Sequence, residues 1–129
     1  MRRREADLFL DIGSTNIKWR TGGENVIHRT AFPPPVMEEA PRFEVDPDAI
    51  ARIVTRIMDE ISPSRVFFAV QMHGYVLLRK GSAVSNYISW RDERGANFSP
   101  DFTLTSEYGV GLKPNLPRLS LLAPHVQAD

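Results

Sequence analysis

The sequence has no cysteine, so neither a disulfide nor a thiolate metal site can hold it together. It has no net charge: Lys plus Arg number 16 and Asp plus Glu number 16. That balance argues against a nucleic-acid binder held by a basic footprint and weakens electrostatic attraction to a membrane surface. No apolar run approaches the roughly 20 residues that span a bilayer. Arg2, Arg3 and Arg4 look like the start of a secretion signal, but no long apolar stretch follows them. The expectation is a cytoplasmic protein without nucleic-acid or membrane partners. Internal repeats are absent, and the only biased segment is a cluster of prolines, Pro33, Pro34, Pro35 and Pro41.

What is present suits a globular α/β domain. The 129 residues are 42% hydrophobic and 25% charged, enough for one real core. Ala6 to Ile12 is nearly continuously apolar and reads as a strand covered on both faces. In Asn16 to Arg20, Ile17 and Trp19 alternate with polar residues, as in a half-buried strand. Thr21-Gly22-Gly23-Glu24 is a turn signal, and Asn25 to Ala31 is expected as the third strand of an antiparallel meander. The prolines predict irregular chain over 32–46. Asp46 then caps a helix with Pro47 in its first turn. Ile50, Ile53, Val54, Ile57, Met58 and Ile61 form one apolar stripe along about fifteen residues, and Ser62-Pro63 stops it. The run Val66-Phe67-Phe68-Ala69-Val70 predicts a central strand, parallel to an earlier one because a helix precedes it. Tyr75 to Arg79 and Val84 to Trp90 are expected as strands around a Gly81-Ser82 turn. Arg91 to Asp101 reads as a polar loop, and Asn115 as the cap of a short helix bearing Leu116, Leu119 and Leu122. Three antiparallel strands, a helix and a buried strand are the order of the ribonuclease H-like fold.

Three segments at predicted strand ends carry polar chemistry, where ligands of open α/β sheets gather. The first is Asp11-Ile12-Gly13-Ser14-Thr15-Asn16-Ile17-Lys18. A turn of this composition can offer backbone N–H groups and the Ser14 and Thr15 hydroxyls to phosphate oxygens. Asp11 can hold Mg²⁺ through water. An ordinary hairpin turn would have the same composition. The second segment is Gln71-Met72-His73-Gly74. Gln71 and His73 can hydrogen-bond polyol hydroxyls, and Gly74 lets backbone approach a ligand. The third is Tyr87-Ile88-Ser89-Trp90-Arg91-Asp92-Glu93-Arg94, in which Trp90 is either a platform for a sugar's C–H face or a core side chain. The charges around it can equally be surface ion pairs.

Taken together and in this order, the segments resemble the FGGY family of carbohydrate kinases, most closely its xylulokinase-like members. Asp11, Gly13, Ser14, Thr15 and Lys18 match the family's first phosphate motif. Gln71 to Gly74 match its Gln-Met-His-Gly segment, and Trp90, Asp92 and Arg94 match its Trp-x-Asp-x-Arg segment. The resemblance implies an actin- and hexokinase-type lobe and phosphoryl transfer from ATP to a sugar hydroxyl. It implies ATP phosphate and Mg²⁺ binding by Asp11, Gly13, Ser14, Thr15 and Lys18, and a sugar pocket shaped by Gln71, Met72, His73, Trp90 and Asp92. It also implies a partial N-terminal kinase domain. The phosphate motif lies in 1–31, a proline-rich loop in 32–46, and the sugar-site segments in 47–129. The family's catalytic aspartate, second phosphate motif and adenosine pocket fall beyond Asp129. His73 and Asp92 are the internal candidates for the base, and the chain alone is not expected to be a competent kinase. A second kinase lobe or self-association is the expected partner. Two other readings stand beside this one. One is a non-catalytic sugar- or protein-binding module. The other is a ribonuclease H-like nuclease with Asp11 as first metal ligand, for which the helix offers only Asp59 and Glu60 as further acids.

Overall fold

A computed structural model describes residues 6–72 and 74–94. They form two compact units. The first holds 6–34 and 46–71, the second 35–45 and 72–94.

In the first unit, β1 (Asp7–Ile12), β2 (Asn16–Thr21), β3 (His28–Ala31) and a later strand, β6 (Arg65–Val70), form one sheet in the order β3-β2-β1-β6. The expected meander is there: β1 pairs antiparallel with β2, and β2 with β3. β3 is shorter than expected, because β2 offers it only Asn16 to Trp19. β6 runs parallel to β1 from Asp7↔Arg65 to Ile12↔Val70. A two-pronged ion pair, Arg65 Nε and Nη2 to the Asp7 carboxylate at 2.8 Å each, marks the start of that register.

Helix α1 (Pro47–Ile61) forms as the sequence dictates. The Asp46 carboxylate accepts from the Asp48 N–H at 2.9 Å, Pro47 needs no N–H partner in the first turn, and Ser62 ends the helix in a left-handed conformation (φ 48°). The apolar stripe is the covering face. Ile57 is buried with Leu8, Leu10 and Ile17, and Ile53, Val54, Met58 and Ile61 pack around them.

Two expectations about this sheet need correcting. β1 is covered on one face only among the described residues: Leu8 and Leu10 are buried, whereas Phe9 and Asp11 on the opposite face are exposed. β6 pairs with β1 alone and is an edge strand among the described residues, not a central one. The helix stripe reaches Val66, but Phe67, Phe68 and Val70 stand 48, 57 and 65% exposed. An apolar run records what side chains can be buried; it does not record how many neighbours the topology supplies.

In the second unit, β4 (Pro35–Met37), β5 (Glu44–Val45) and β9 (Tyr87–Ile88) form a small antiparallel sheet in that order. The prolines therefore do not forbid pairing over 32–46. Pro35 sits on the sheet's outer strand, where a missing N–H is tolerated. A hairpin joins β7 (Leu78–Arg79) to β8 (Ser82–Ala83). Its turn is Lys80-Gly81, both at positive φ (48° and 82°), one residue earlier than expected. Two-residue hairpins favour this pattern because it matches strand twist. The strand expected over Val84 to Trp90 is reduced to Tyr87–Ile88, and that over Tyr75 to Arg79 to Leu78–Arg79 plus a bridge between Tyr75 and Ile88. The helix expected at Asn115 lies outside the described residues. Among those described, no helix is long and apolar enough to cross a membrane.

The one-sided core sets a stability prediction. Ile57→Ala is expected to destabilise the chain by about 2–5 kcal/mol, and Phe68→Ala by less than about 1 kcal/mol. Urea denaturation measures both; equal losses would show that the β6 edge is covered after all.

Candidate functional site

The Asp11–Lys18 segment folds as a tight bend between β1 and β2. The Gly13 N–H donates to the Asn16 carbonyl at 3.0 Å, and the Phe32 N–H donates to the Thr15 carbonyl at 2.9 Å. A Cβ on residue 13 would lie 2.8 Å from the Asn16 oxygen, so this bend requires glycine for close approach. Ser14 and Thr15 are exposed at its tip. Asp11 and Lys18 lie opposite each other in the β1–β2 ladder, so both stand on the face that α1 leaves open. There they line a shallow recess of about 480 Å³. Its floor includes Phe9 and Phe67, stacked at 5.0 Å, with the Arg20 guanidinium 5.4 Å above the Phe9 ring.

Because β6 is parallel to β1, their carboxyl ends reach the same end of the sheet. Gln71, the first residue after β6, meets the bend there: its Nε2 donates to the Gly13 carbonyl at 2.9 Å. The amide expected to bind a sugar hydroxyl is thus engaged with the first motif. The next residue, Met72, is 73% exposed. His73 lies outside the described residues. A Cβ on Gly74 would collide with the Tyr87 ring and hydroxyl, so the ring lies directly against this glycine. Burial pushes the Tyr87 hydroxyl pKa up to about 12, leaving it protonated at neutral pH.

The Trp90–Arg94 segment is organised by buried charge. Asp92 has no exposed surface. Its carboxylate accepts from the Phe43 N–H (2.9 Å), the Arg94 N–H (3.1 Å), Arg94 Nε (3.2 Å) and Arg94 Nη2 (2.9 Å). The same guanidinium also bonds Glu44, which is 5% exposed and accepts from Asn86 and Arg42 as well. Burial disfavours the charged form of Glu44, but hydrogen bonds from Asn86, Arg42 and Arg94 outweigh it and hold the pKa below the ordinary 4.5. Arg94 is likewise penalised by burial, yet Asp92 and Glu44 keep it firmly protonated. Asp92 is thereby occupied as a loop clamp, and such a carboxylate is poorly placed to accept a proton or a sugar hydroxyl. Trp90 is 41% exposed, which argues against the core reading of that side chain. Arg91 covers Phe43, its guanidinium 4.3 Å from the ring centre. Nothing local marks Glu44 as part of this cluster; it is 48 residues from Asp92 and is brought to it by the pairing of β5 with β9 and by the bonds of Pro41 and Phe43 to Glu93, Ser89 and Asp92.

Eighteen chains of solved structures match this one. One is a xyloylose (xylulose) kinase from Brucella ovis, 20% identical, with a TM-score of 0.68; the match covers 91% of this chain and 29% of that one. Another is a ligand-bound xylulose kinase from Lactobacillus acidophilus, 21% identical, with a TM-score of 0.50, covering 68% of this chain and 20% of that one. The chain has the fold of part of a sugar kinase. It spans less than a third of the length of these kinases. No family model matches it, and no curated protein does. The motif-based resemblance and the structural neighbours thus point to the same enzymes. The α/β architecture, a mixed sheet backed by a helix, fits a sugar-kinase lobe.

The buried Glu44 carries a pH prediction. A carboxylate whose pKa is depressed by folding stabilises the fold above its unfolded pKa, and that stability is lost as pH falls through the folded value. The urea midpoint should therefore decline below pH about 4.5, and Glu44→Gln should show a shallower decline. An identical decline in the variant would mean that Glu44 is not held in this network.

Proposed function

We propose that this chain is the phosphate- and sugar-facing portion of a carbohydrate kinase with a ribonuclease H-like lobe. The observation that carries the reading is the meeting of two motifs at one end of the sheet: Gln71 of the second bonds Gly13 of the first. The fold shared with a xylulose kinase supports it.

In this reading the bend at Gly13 receives ATP phosphates through backbone N–H groups and the exposed Ser14 and Thr15 hydroxyls. Lys18, on the open face, adds positive charge. A magnesium ion fits Asp11: a single accessible carboxylate suits a cation that keeps most of its waters, and the ion would neutralise phosphate charge there. Trp90 offers its exposed ring to the apolar face of a sugar or polyol, while Asp92 and Arg94 fix the loop that carries it. His73 completes the sugar side by resemblance. Transfer also needs a group to take the hydroxyl proton and a water-free cleft. Asp92 is buried and ion-paired, so in this reading a second lobe brings the base and, by resemblance, the adenosine site. The exposed Phe67, Phe68 and Val70 supply apolar surface for such a lobe or for self-association. The reading places the protein in the cytoplasm, where ATP is available.

The occupied Asp92 also favours a second reading, a non-catalytic module that binds a sugar or another protein. The nuclease reading loses ground, because among the described residues no three acidic or histidine side chains cluster as a metal site.

Isothermal titration of the full chain with Mg·ATP, and separately with xylulose and other polyols, tests the proposal. Mg·ATP should bind, and Asp11→Ala should weaken it roughly tenfold, the scale of one charge-assisted contact. Absence of both nucleotide and sugar binding would overturn the kinase reading. ATP turnover by the purified chain, lost in Asp11→Ala, would overturn the non-catalytic one.

A further inference from the structure

Gln71 is expected from its motif to face a sugar, yet its side-chain amide is committed to the Gly13 carbonyl. That carbonyl belongs to the Gly13–Ser14 peptide, which is trans; among the described residues only Ala40–Pro41 is cis. In a planar trans peptide the C=O and the N–H point in opposite directions. Holding the Gly13 oxygen toward Gln71 therefore aims the Ser14 N–H away from Gln71. On its other side, the Gly13 N–H is fixed to the Asn16 carbonyl at 3.0 Å. Residue 13 is glycine, the residue with the lowest barrier to peptide rotation at such a bend. Were this one peptide to turn over, a carbonyl oxygen would replace the N–H and present the negative end of a dipole to an incoming anion. A donor-lined bend would then repel the group it is built to hold.

We infer that Gln71 is a positioning residue for the first motif: its amide locks the Gly13–Ser14 peptide so that the bend presents an N–H, not a carbonyl, to a bound phosphate. The inference rests on the phosphate-binding reading of the bend. It gives Gln71 a different task from the one its neighbours in the Gln71–Gly74 segment suggest. The strand pairing makes the lock possible: Ile12↔Val70 is the last parallel pair, so Gly13 and Gln71 are the next residues on each chain.

Two variants of the full chain test it. Gln71→Met keeps the length of the side chain and removes the donor. Gln71→Glu keeps the shape and sets a carboxylate against the Gly13 carbonyl. Amide hydrogen exchange by NMR is followed at Gly13, whose N–H is protected only while the bend is closed, with Leu8 and Leu10 as core controls. Mg·ATP and xylulose affinities are measured in parallel. Gly13 exchange is expected to accelerate about five- to tenfold, the scale of one lost hydrogen bond, with the core controls unchanged. Mg·ATP affinity should fall by a similar factor while xylulose affinity holds. Unchanged Gly13 exchange in both variants would overturn the lock, as would faster exchange with unaltered Mg·ATP affinity. Should the wild-type chain bind no Mg·ATP while the variants still accelerate Gly13 exchange, the lock stands and the phosphate-binding reading falls.

Discussion

The parallel pairing of β1 with β6 is the constraint on which the candidate site depends. Antiparallel pairing would place Gln71 at the far end of the sheet from Gly13. The parallel register, from Asp7↔Arg65 to Ile12↔Val70, puts them side by side. That register is held mainly by burial. Leu8 and Leu10 point under α1 with Ile17, and a slip of one residue would turn Phe9 and Asp11 toward the helix instead. The exposed Arg65–Asp7 ion pair marks the register but contributes little energy to it.

The two compact units use different physics. The first is an apolar sandwich of sheet and helix, with the Gly13 bend at one sheet end and Asp11 and Lys18 on its open face. The second has little apolar core and is organised around charge. Glu44 and Asp92 are buried, half-buried Arg94 bridges them, and Asn86, Arg42 and backbone N–H groups complete their hydrogen bonds. Such a cluster loses more when one member is removed than it gained by forming, because the remaining charges stay buried. It therefore specifies one loop conformation, in which Trp90, Arg91 and Glu93 are left exposed.

Much of this was legible in the sequence where a local rule decides the outcome. The Asp46 cap, Pro47 and the isoleucine stripe fixed α1, and alternation in Ile17 and Trp19 fixed β2. The three motifs stood out by composition and order. What was not legible depends on partners distant in the chain. The apolar pattern of Val66 to Val70 is the same for an edge strand as for a central one. Pro35 looks like a loop residue until the pairing with Val45 is known. At the site, the side chains of Gln71 and Asp92 suit sugar hydroxyls, yet both are engaged by protein groups. Glu44 carried no local signal at all.

The central claim is that the Gly13 bend and the residue following β6 form one anion-facing end of the sheet. An NMR titration of the isotopically labelled full chain with a non-hydrolysable Mg·ATP analogue tests it most directly. Shift changes are expected to concentrate at the backbone amides of Gly13, Ser14 and Thr15, at Lys18 and at the Gln71 side-chain amide. Changes confined to the polar face of α1, with the bend unmoved at saturating ligand, would contradict it.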